Sequence, residues 1–342
     1  MRNRMKGGFS MRYALFNQPA VTIYDQPQTV GRDQEGRRFF PIGDQGLYGQ
    51  SCQVLAEDSD KLLAPVRTFY GYPGYVRRFE LNEITEKELR AYLAAPAVMA
   101  ARSADLLDSP RVDGLLLQTV GRGARLRLAP LPDGEETPAG WTRVLLVDGR
   151  PAWVWEQSLE PLCWEEDAVF AQREGLPFDD ALAQALGTEP GQLVRRALDR
   201  WHGGSEEAFR RAVCETARKY LGVQYRWGGK AWDGVDCSGL VSDVYMQNGV
   251  LIYRNARIEP GWPMRAVPRS QAKPGDALYF PGHVALYLGQ GMYIHATGAA
   301  ASGGVVLNSL DPASAFYRAD LDQKLTAVGT IFERGGAPCE SI

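Results

Sequence analysis

Short apolar runs separated by glycine and proline characterise the N-terminal part of the chain. They lie at 20–24, 51–55, 61–64 and 67–70, and the series ends with the segment Gly-Tyr-Pro-Gly-Tyr-Val at 71–76. Short strands punctuated in this way predict a small β-barrel.

The sequence pattern of that last segment recurs at 149–154 as Gly-Arg-Pro-Ala-Trp-Val, again after a series of short strand patterns. This internal repeat predicts two copies of one module. A turn followed by an aromatic residue and valine is typical of the last hairpin of bacterial SH3-like barrels, and both copies resemble such barrels. The segment 83–94 is predicted to be a helix inserted in the first copy or joining the two. We therefore expect barrel 1, with its helix, at 12–95 and barrel 2 at 96–162.

Helical spacing replaces the strand patterns after residue 163. Apolar side chains recur at helical intervals from Leu182 to Trp201, with interruptions at Gly187 and at Pro190. This pattern predicts a helical connector at 163–204. A further helix begins with a capping pattern at Ser205 and opens the last domain, 205–335.

A second helix of the last domain is predicted to begin at Cys237. Leu240, Val241, Val244 and Tyr245 share one face, and an Asn-Gly pair at 248–249 supplies the stop signal. Asp236 is the expected N-cap. Free backbone N–H groups and the helix dipole would then surround the Cys237 sulfur and favour thiolate over thiol, which is a setting for a nucleophile. The alternative is that Cys237 only packs as a small apolar residue.

Two of the three histidines lie twelve positions apart in adjoining strand patterns, His283 and His295. If residues 289–291 form a three-residue loop, Leu288 opposes Met292 and His295 opposes Ala285. The two histidines then share one face of the sheet as diagonal neighbours, about 7 to 8 Å apart. A two-residue loop would place them on opposite faces.

This geometry suggests a role for each side chain. Cys237 would attack a carbonyl, His283 would take the thiol proton and return it to the leaving amine, and His295 would hold the tautomer of His283. Each histidine could instead be an ordinary structural polar residue. A zinc site made of these three residues lacks a convincing fourth ligand, so neither a metal nor another cofactor is predicted. His202, in a Trp-His-Gly-Gly loop, is predicted to be an exposed bystander.

Composition narrows the functional classes further. A length of 342 residues is enough for two or three domains. The chain carries 38 basic and 41 acidic side chains and a net charge of −3, so it lacks the basic excess that binding to nucleic acid requires. Five cysteines without a CxxC pair indicate neither a disulfide framework nor a zinc ribbon. The basic N-terminus precedes no apolar signal segment, and no run is long enough for a membrane span. We expect a cytoplasmic protein, or a secreted one if this chain lacks its native N-terminus. The oligomeric state is not predicted.

Several segments of the last domain together resemble the NlpC-type cell-wall peptidases, a papain-like family. They are Tyr-Arg-Trp-Gly-Gly at 225–229, Asp-Cys-Ser-Gly-Leu at 236–240, Pro-Gly-Asp-Ala-Leu-Tyr-Phe at 274–280, Gly-His-Val-Ala-Leu-Tyr-Leu-Gly at 282–289 and Tyr-Ile-His-Ala at 293–296. The resemblance implies a multi-domain fold class: two N-terminal SH3-like β-barrels followed by an α+β papain-like catalytic domain.

Two barrels ahead of such a domain further resemble the murein-peptide recycling enzymes, which cut γ-D-glutamyl-L-diamino acid bonds in peptides with a free N-terminal L-Ala. The resemblance implies that murein-derived peptides are the partners. It also implies a catalytic triad and a set of substrate-binding residues, with Asp236 pairing with the substrate ammonium and an aromatic residue of barrel 1 closing the pocket. The implied triad is Cys237, His283 and His295; the implied pocket residues are Tyr225, Asp236, Ser238 and Tyr72, with Tyr75 behind Tyr72.

Three alternatives stay open at this point. A thiol amidase or acyltransferase acting on a different amide would use the same fold and triad, because fold does not fix the reaction. A wall-binding protein with an inert last domain would use only the barrels. Tyr72 could be an ordinary aromatic residue of a barrel turn. Ala285, where the family usually has glycine, also leaves the shape of the pocket open.

Overall fold

The computed structural model describes residues 12–55, 62–132, 134, 136–170 and 190–333. The N-terminal stretch of basic residues, the connector residues Leu182 and Leu186, and Cys339 lie outside these ranges. Two β-sheets of seven strands each come first. The first contains β1 (Arg12–Phe16), β2 (Ala20–Tyr24), β5 (Ile42–Leu47), β6 (Ser51–Val54), β7 (Leu63–Thr68), β8 (Pro73–Arg77) and β9 (Leu81–Ile84), and a small ribbon of β3 (Gly31–Arg32) and β4 (Arg38–Phe39) projects between β2 and β5.

The second sheet repeats the topology of the first. It contains β10 (Ala97–Ala100), β11 (Ala104–Leu107), β12 (Leu116–Val120), β13 (Arg125–Leu128), β14 (Trp141–Leu145), β15 (Pro151–Trp155) and β16 (Leu159–Pro161). The strand order is β5-β2-β8-β7-β6-β1-β9 in the first sheet and β12-β11-β15-β14-β13-β10-β16 in the second. Each strand of the first sheet thus has a counterpart in the same place in the second sheet. The repeated segments at 71–76 and 149–154 fall on one such pair of counterparts, β8 and β15. Among the described residues the end strands of each sheet do not pair, so closure into SH3-like barrels stays a prediction.

The helix between the two sheets, α1 (Glu86–Ala94), is shorter than predicted because β9 continues to Ile84. Thr85 is its N-cap: the hydroxyl accepts from the N–H of Glu88, and the Glu88 carboxylate accepts from the N–H of Thr85. Such a reciprocal capping box satisfies two backbone donors that the first turn leaves free. Short 3₁₀ turns follow β8 at Arg78–Glu80 and β15 at Glu156–Ser158.

The described parts of the connector contain two helical segments. A 3₁₀ turn spans Asp167–Phe170 and α2 spans Pro190–Trp201. Pro190, predicted as an interruption, stands at the first position of α2, where proline is well tolerated because its missing N–H would have no partner there.

The last domain packs two helices on an antiparallel sheet. Its elements are α3 (Glu206–Arg218), the ribbon of β17 (Lys230–Ala231) and β18 (Gly234–Val235), α4 (Cys237–Gln247), β19 (Arg265–Val267), β20 (Ala277–Phe280), β21 (His283–Gly289), β22 (Met292–Thr297), β23 (Gly304–Ser309), α5 (Ala319–Asp322) and β24 (Ala327–Thr330), with a 3₁₀ turn at Arg269–Gln271. The strand order is β19-β24-β20-β21-β22-β23. Ser205 caps α3 as predicted, because its hydroxyl accepts from the N–H of Ala208.

The core of this domain fixes α4 over the strands that carry the histidines. Side chains of α3, α4 and the sheet form one buried cluster, including Phe209, Val213, Leu240, Val244 and Leu286. α4 packs on both β21 and β22. In the part of the chain that the structure covers, no helix is long and apolar enough to cross a membrane.

Candidate active site

Cys237 is the first residue of α4, as predicted, and Asp236 is its N-cap. The Asp236 carboxylate accepts from the N–H of Gly239 at 2.6 Å. The helix can start here only because residue 239 is glycine: a Cβ at this position would lie 2.0 Å from the carbonyl oxygen of Gly229. The turn at Gly229 and the helix of Cys237 are therefore in direct backbone contact.

The expectation that the Cys237 sulfur is a thiolate is wrong for the resting site. Cys237 is only 7% exposed, and burial together with the nearby Asp236 carboxylate raises the pKa of its thiol. Backbone N–H groups of Val284 and Ser238 oppose this shift. The helix terminus does supply favourable dipoles, but burial and the capping carboxylate outweigh them, so the protonated thiol is favoured.

The hairpin that carries the two histidines has the predicted register but not the predicted loop. Leu286 pairs with Ile294 and Tyr287 with Tyr293, and this register brings Ala285 opposite His295. The loop has only two residues, because Gly289 pairs with Met292. Gln290 and Gly291 have φ of 51° and 75°, as a tight type I′ turn requires. A bulge at 288–289 adds the extra residue that restores the face of His283.

The two histidines meet on that face. His283 Nε2 lies 2.7 Å from His295 Nδ1, and the rings are close to perpendicular at 74°. His295 is fully buried, and its Nε2 lies 2.9 Å from Oδ1 of Asn308 on β23. Burial lowers the pKa of His283 to about 4 and that of His295 to about 4. Both rings are therefore neutral near pH 7. The Cys237 thiol lies next to the backbone N–H of Val284, the residue that follows His283.

Arg254, in the loop after α4, bonds the residues that flank Cys237. Its Nη1 donates to Asp236 Oδ1 at 3.2 Å and to Ser238 Oγ at 2.9 Å. Its Nη2 donates to Asp236 Oδ2 and to the carbonyl oxygen of Gly228, both at 3.2 Å. Its Nε donates to Asp44 Oδ1 at 2.5 Å. All five N–H donors of the guanidinium therefore have protein acceptors.

Asp44 brings the first β-sheet into this network. It lies on β5, is fully buried, and also accepts a hydrogen bond from the Tyr70 hydroxyl. The Lys230 ammonium donates to the same hydroxyl and lies 3.8 Å from Asp44 Oδ2. Burial alone would raise the pKa of Asp44, but the charges of Lys230 and Arg254 outweigh burial and hold this pKa below its ordinary value. Gln45, next along β5, accepts from the backbone N–H groups of Lys230 and Ala231.

Tyr225, Asp236 and Ser238, the predicted pocket residues of the last domain, lie around Cys237. Tyr225 forms a bridge to Val235, just before the nucleophile turn. Burial, with the nearby Cys237 and Asp236, raises the pKa of its hydroxyl to about 12, so this group is a neutral donor. The Ser238 hydroxyl donates to Asp236 Oδ1 at 3.1 Å. Both Asp236 oxygens therefore already accept hydrogen bonds, which leaves this carboxylate little capacity for a substrate ammonium.

Tyr72 lies in a neighbouring cavity of about 430 Å³ between the first β-sheet and the loop at 253–262. Its hydroxyl donates to Asp25 Oδ1 at 3.0 Å. Tyr75 and Arg254 also line this cavity, whereas Cys237 and the two histidines do not. Arg254 is the connection between the two regions, because it contacts the cavity on one side and Ser238 on the other.

Sequence reasoning missed Arg254, Asp44 and Asn308, and it misjudged His202. Arg254 follows no periodic pattern, and Asp44 stands in a strand where a buried charge has no local signal. His202 is half-buried rather than exposed: its Nε2 lies 3.0 Å from the carbonyl oxygen of Asn248, and its ring packs edge-on against Phe209. Across the described ranges, no cluster of three or more His, Cys, Asp or Glu side chains is arranged to hold a metal ion.

Comparison with known proteins gives one family. Residues 222–317 match the NlpC/P60 family. The chain is 35% identical over 294 residues to the dipeptidyl-peptidase 6 of Lysinibacillus sphaericus, an alignment that covers 84% of this chain and 92% of the relative. It is also 34% identical over 120 residues to the γ-D-glutamyl-L-lysine dipeptidyl-peptidase of Bacillus subtilis strain 168. This alignment covers 32% of this chain and 40% of that protein.

A solved structure extends the similarity of fold to almost the whole chain. It is that of an NlpC/P60 family protein from Bacillus cereus ATCC 10987, with a TM-score of 0.64 and 18% identity. The superposition covers 92% of this chain and 98% of the other. The arrangement of β-rich N-terminal domains and a C-terminal domain is thus shared along both chains.

Proposed function

Because this chain belongs to the NlpC/P60 family of peptidases, we propose that it is a cysteine peptidase that hydrolyses the γ-D-glutamyl-L-diamino acid bond of peptidoglycan stem peptides. The observation that carries this proposal is the 2.7 Å contact between His283 and His295 on the strands that pack under the helix of Cys237. A thiol, a neutral imidazole and a second group that orients the imidazole are the parts that nucleophilic catalysis on an amide needs.

In the proposed reaction the Cys237 sulfur attacks the amide carbon, and the thiol proton passes to His283. The tetrahedral intermediate collapses when His283 returns this proton to the leaving amine of the diamino acid. Water, deprotonated by His283, then attacks the thioester and releases the γ-carboxylate and the free thiol. A proton-transfer group of this kind contributes about 10²- to 10⁴-fold in rate. The backbone N–H of Cys237, at the free end of α4, is the proposed oxyanion donor, a contact worth about 3 kcal/mol.

The resting site is proposed to hold a neutral thiol beside a neutral imidazole. The raised pKa of Cys237 and the lowered pKa of His283 both favour this pair over a thiolate and an imidazolium. Proton transfer would therefore accompany the attack on the substrate. A nucleophile that stays protonated until the substrate arrives is also less open to oxidation.

Both N-terminal β domains are proposed to be SH3-like. Substrate selection is proposed to depend on the last domain and on the first of these β domains. Tyr225 and Ser238 would contact the peptide next to the scissile bond. The free N-terminal ammonium of an L-Ala residue would bind in the neighbouring cavity, where Tyr72 and Asp25 offer a hydroxyl and a carboxylate. Asp236, with its oxygens bound to Arg254 and to its own helix, would position the site. A requirement for a free N-terminus would suit peptides released during recycling in the cytoplasm.

Substitution of the nucleophile tests this function. We expect the full chain to release the dipeptide L-Ala-γ-D-Glu from L-Ala-γ-D-Glu-L-Lys or from its diaminopimelate counterpart, as detected by mass spectrometry. Cys237→Ala should abolish the release without changing the circular dichroism spectrum. Cys163→Ala, at a half-buried cysteine of the connector, is the matched control and should leave turnover intact. Turnover by Cys237→Ala, or none by the unmodified chain, would overturn the proposal.

A further inference from the structure

Asn308 ends a polar chain that crosses three neighbouring strands. In the register of β22 and β23, His295 is opposite Val306 and Tyr293 is opposite Asn308. Asn308 is therefore the diagonal neighbour of His295, just as His295 is the diagonal neighbour of His283 across β21 and β22. Diagonal positions share a face of the sheet, and the same step is used twice. The three side chains thus form a line: His283, His295 and Asn308.

The orientation of the Asn308 amide follows from its second contact. Its Nδ2 lies 3.2 Å from the carbonyl oxygen of Phe316, which can only accept a hydrogen bond. The NH₂ group must therefore face Phe316, and the amide oxygen must face His295. Because this oxygen can only accept, His295 Nε2 at 2.9 Å must be the donor.

The protonation of both rings is then determined step by step. A neutral His295 with hydrogen on Nε2 has a lone pair on Nδ1. His283 Nε2, at 2.7 Å, must therefore donate to it. A neutral His283 with hydrogen on Nε2 has its remaining lone pair on Nδ1, which is its only nitrogen free to accept the thiol proton. The opposite tautomers would leave His283 with a hydrogen on Nδ1 and no acceptor for Cys237.

We propose that Asn308 is a positioning residue that fixes the tautomers of both histidines, so that His283 presents the Nδ1 lone pair to the thiol of Cys237. The catalytic part of this inference rests on the proposed function, whereas the tautomers themselves do not. Neutral rings are also what the surroundings favour. Burial lowers the pKa of both histidines, the Arg318 guanidinium lowers them further, and the Asn308 contact and Asp320 act on His295 in the opposite direction.

Nitrogen-15 NMR of the full chain, labelled at histidine, tests the tautomers without any substrate. The chain has three histidines. His202 serves as an internal reference, because its Nε2 faces the carbonyl oxygen of Asn248 and must carry the hydrogen. We expect hydrogen on Nε2 in all three rings near pH 7. Hydrogen on Nδ1 of His283 or of His295 in the unmodified chain would overturn the proposal.

Two substitutions of Asn308 separate positioning from simple packing. Asn308→Leu removes the acceptor, so His283 should populate the Nδ1–H tautomer and kcat should fall by about 10²- to 10⁴-fold, with KM nearly unchanged. Asn308→Asp keeps an acceptor, so both tautomers should persist and kcat should stay within about 10-fold. The negative charge of the new aspartate should also shift the acid limb of the kcat/KM profile to higher pH. Ser314→Ala, whose hydroxyl accepts from Phe316 N–H in the same loop, is the control and should change neither readout.

The outcomes are separable. Equal loss of kcat in Asn308→Leu and Asn308→Asp would show that Asn308 only packs, and normal tautomers with normal kcat in Asn308→Leu would show that it does not act on the rings. If Asn308→Leu does not fold, the unmodified chain and Asn308→Asp still decide the question. If the unmodified chain cuts no peptide, the proposed function fails while the NMR result on the tautomers stands.

Discussion

Arg254 of the last domain donates its Nε hydrogen to Asp44 of the first β-sheet at 2.5 Å. Both side chains are almost fully buried, and the same guanidinium holds Asp236 and Ser238 on either side of Cys237. The geometry of the turn at Cys237 is therefore supported by a residue of the first β-sheet. Because all donors of Arg254 have protein acceptors, we infer that it positions these groups and has no donor free for a substrate in this arrangement.

Asp44→Asn should destabilise the protein strongly, because it removes the carboxylate beside the buried Lys230 and leaves the buried Arg254 with Asp236 as its remaining ion-pair partner. Removal of one partner of a buried ion pair costs about 3 to 5 kcal/mol. The free energy of unfolding from urea titration measures this loss. Asp148→Asn, at an exposed acid paired with Arg150, is the control and should change it by less than about 0.5 kcal/mol. A loss below about 1 kcal/mol for Asp44→Asn would mean that the network contributes little to stability.

Arg254→Lys should impair catalysis more than stability. Lysine keeps a positive charge near Asp44, but its single ammonium cannot bridge Asp44, Asp236 and Ser238 at once. Displacement of the nucleophile turn by about 1 Å can cost about 10²-fold in kcat/KM. Steady-state kinetics on the tripeptide would measure it. Arg265→Lys, at a partly exposed arginine of β19, should remain near the unmodified value, and an equally active Arg254→Lys would remove Arg254 from its positioning role.

The acid limb of kcat/KM should lie well below pH 6.5. His283, the proposed base, must be neutral, and its pKa in the folded protein is about 4, against an ordinary value of about 6.5. Between these two values the unfolded chain binds more protons than the folded chain, so stability should also fall as the pH drops from about 6.5 towards 4. A pH profile from 3.5 to 8, with the urea midpoint measured at each pH, tests both statements. An acid limb at or above pH 6.5 would contradict a buried neutral pair.

Tyr72→Phe should weaken binding of peptides that carry a free N-terminal ammonium. The substitution removes the hydroxyl that bonds Asp25 while it keeps the ring in the cavity wall. We expect KM to rise several-fold with little change in kcat, because Tyr72 is not among the groups that contact Cys237. The N-acetylated tripeptide is the matched control, since the substitution should not affect its hydrolysis. An equal effect on both peptides would mean that Tyr72 shapes the cavity but does not contribute to recognition of the N-terminal ammonium.

Local signals in the sequence were enough to predict the nucleophile helix and the meeting of the two histidines. Apolar spacing and an N-cap acid mark the start of α4, and strand parity relates His283 to His295. The loop was wrong in detail because a two-residue turn plus a bulge gives the same parity as a three-residue loop. Periodicity alone cannot distinguish these two cases.

The residues that support the site could not be predicted in this way. Asp44 and Arg254 are 210 positions apart, and their contact exists only because the first sheet packs against the last domain. The direction of the Cys237 pKa was also misjudged, because the helix terminus is visible in the sequence while the burial of the sulfur is a property of the packed molecule. Asn308 is one asparagine in a strand, and only the strand register gives it a role.

The bulge in the hairpin between β21 and β22 also lets this segment lose one residue without a change of register. Loss of the unpaired Leu288 would leave a regular two-residue hairpin in which Tyr287 still pairs with Tyr293, so Ala285 would stay opposite His295 and both rings would stay on one face. A hairpin shortened by one residue at this point should therefore keep the two imidazoles in contact, because the strand pairing, and not the length of the hairpin, sets the face on which each ring lies.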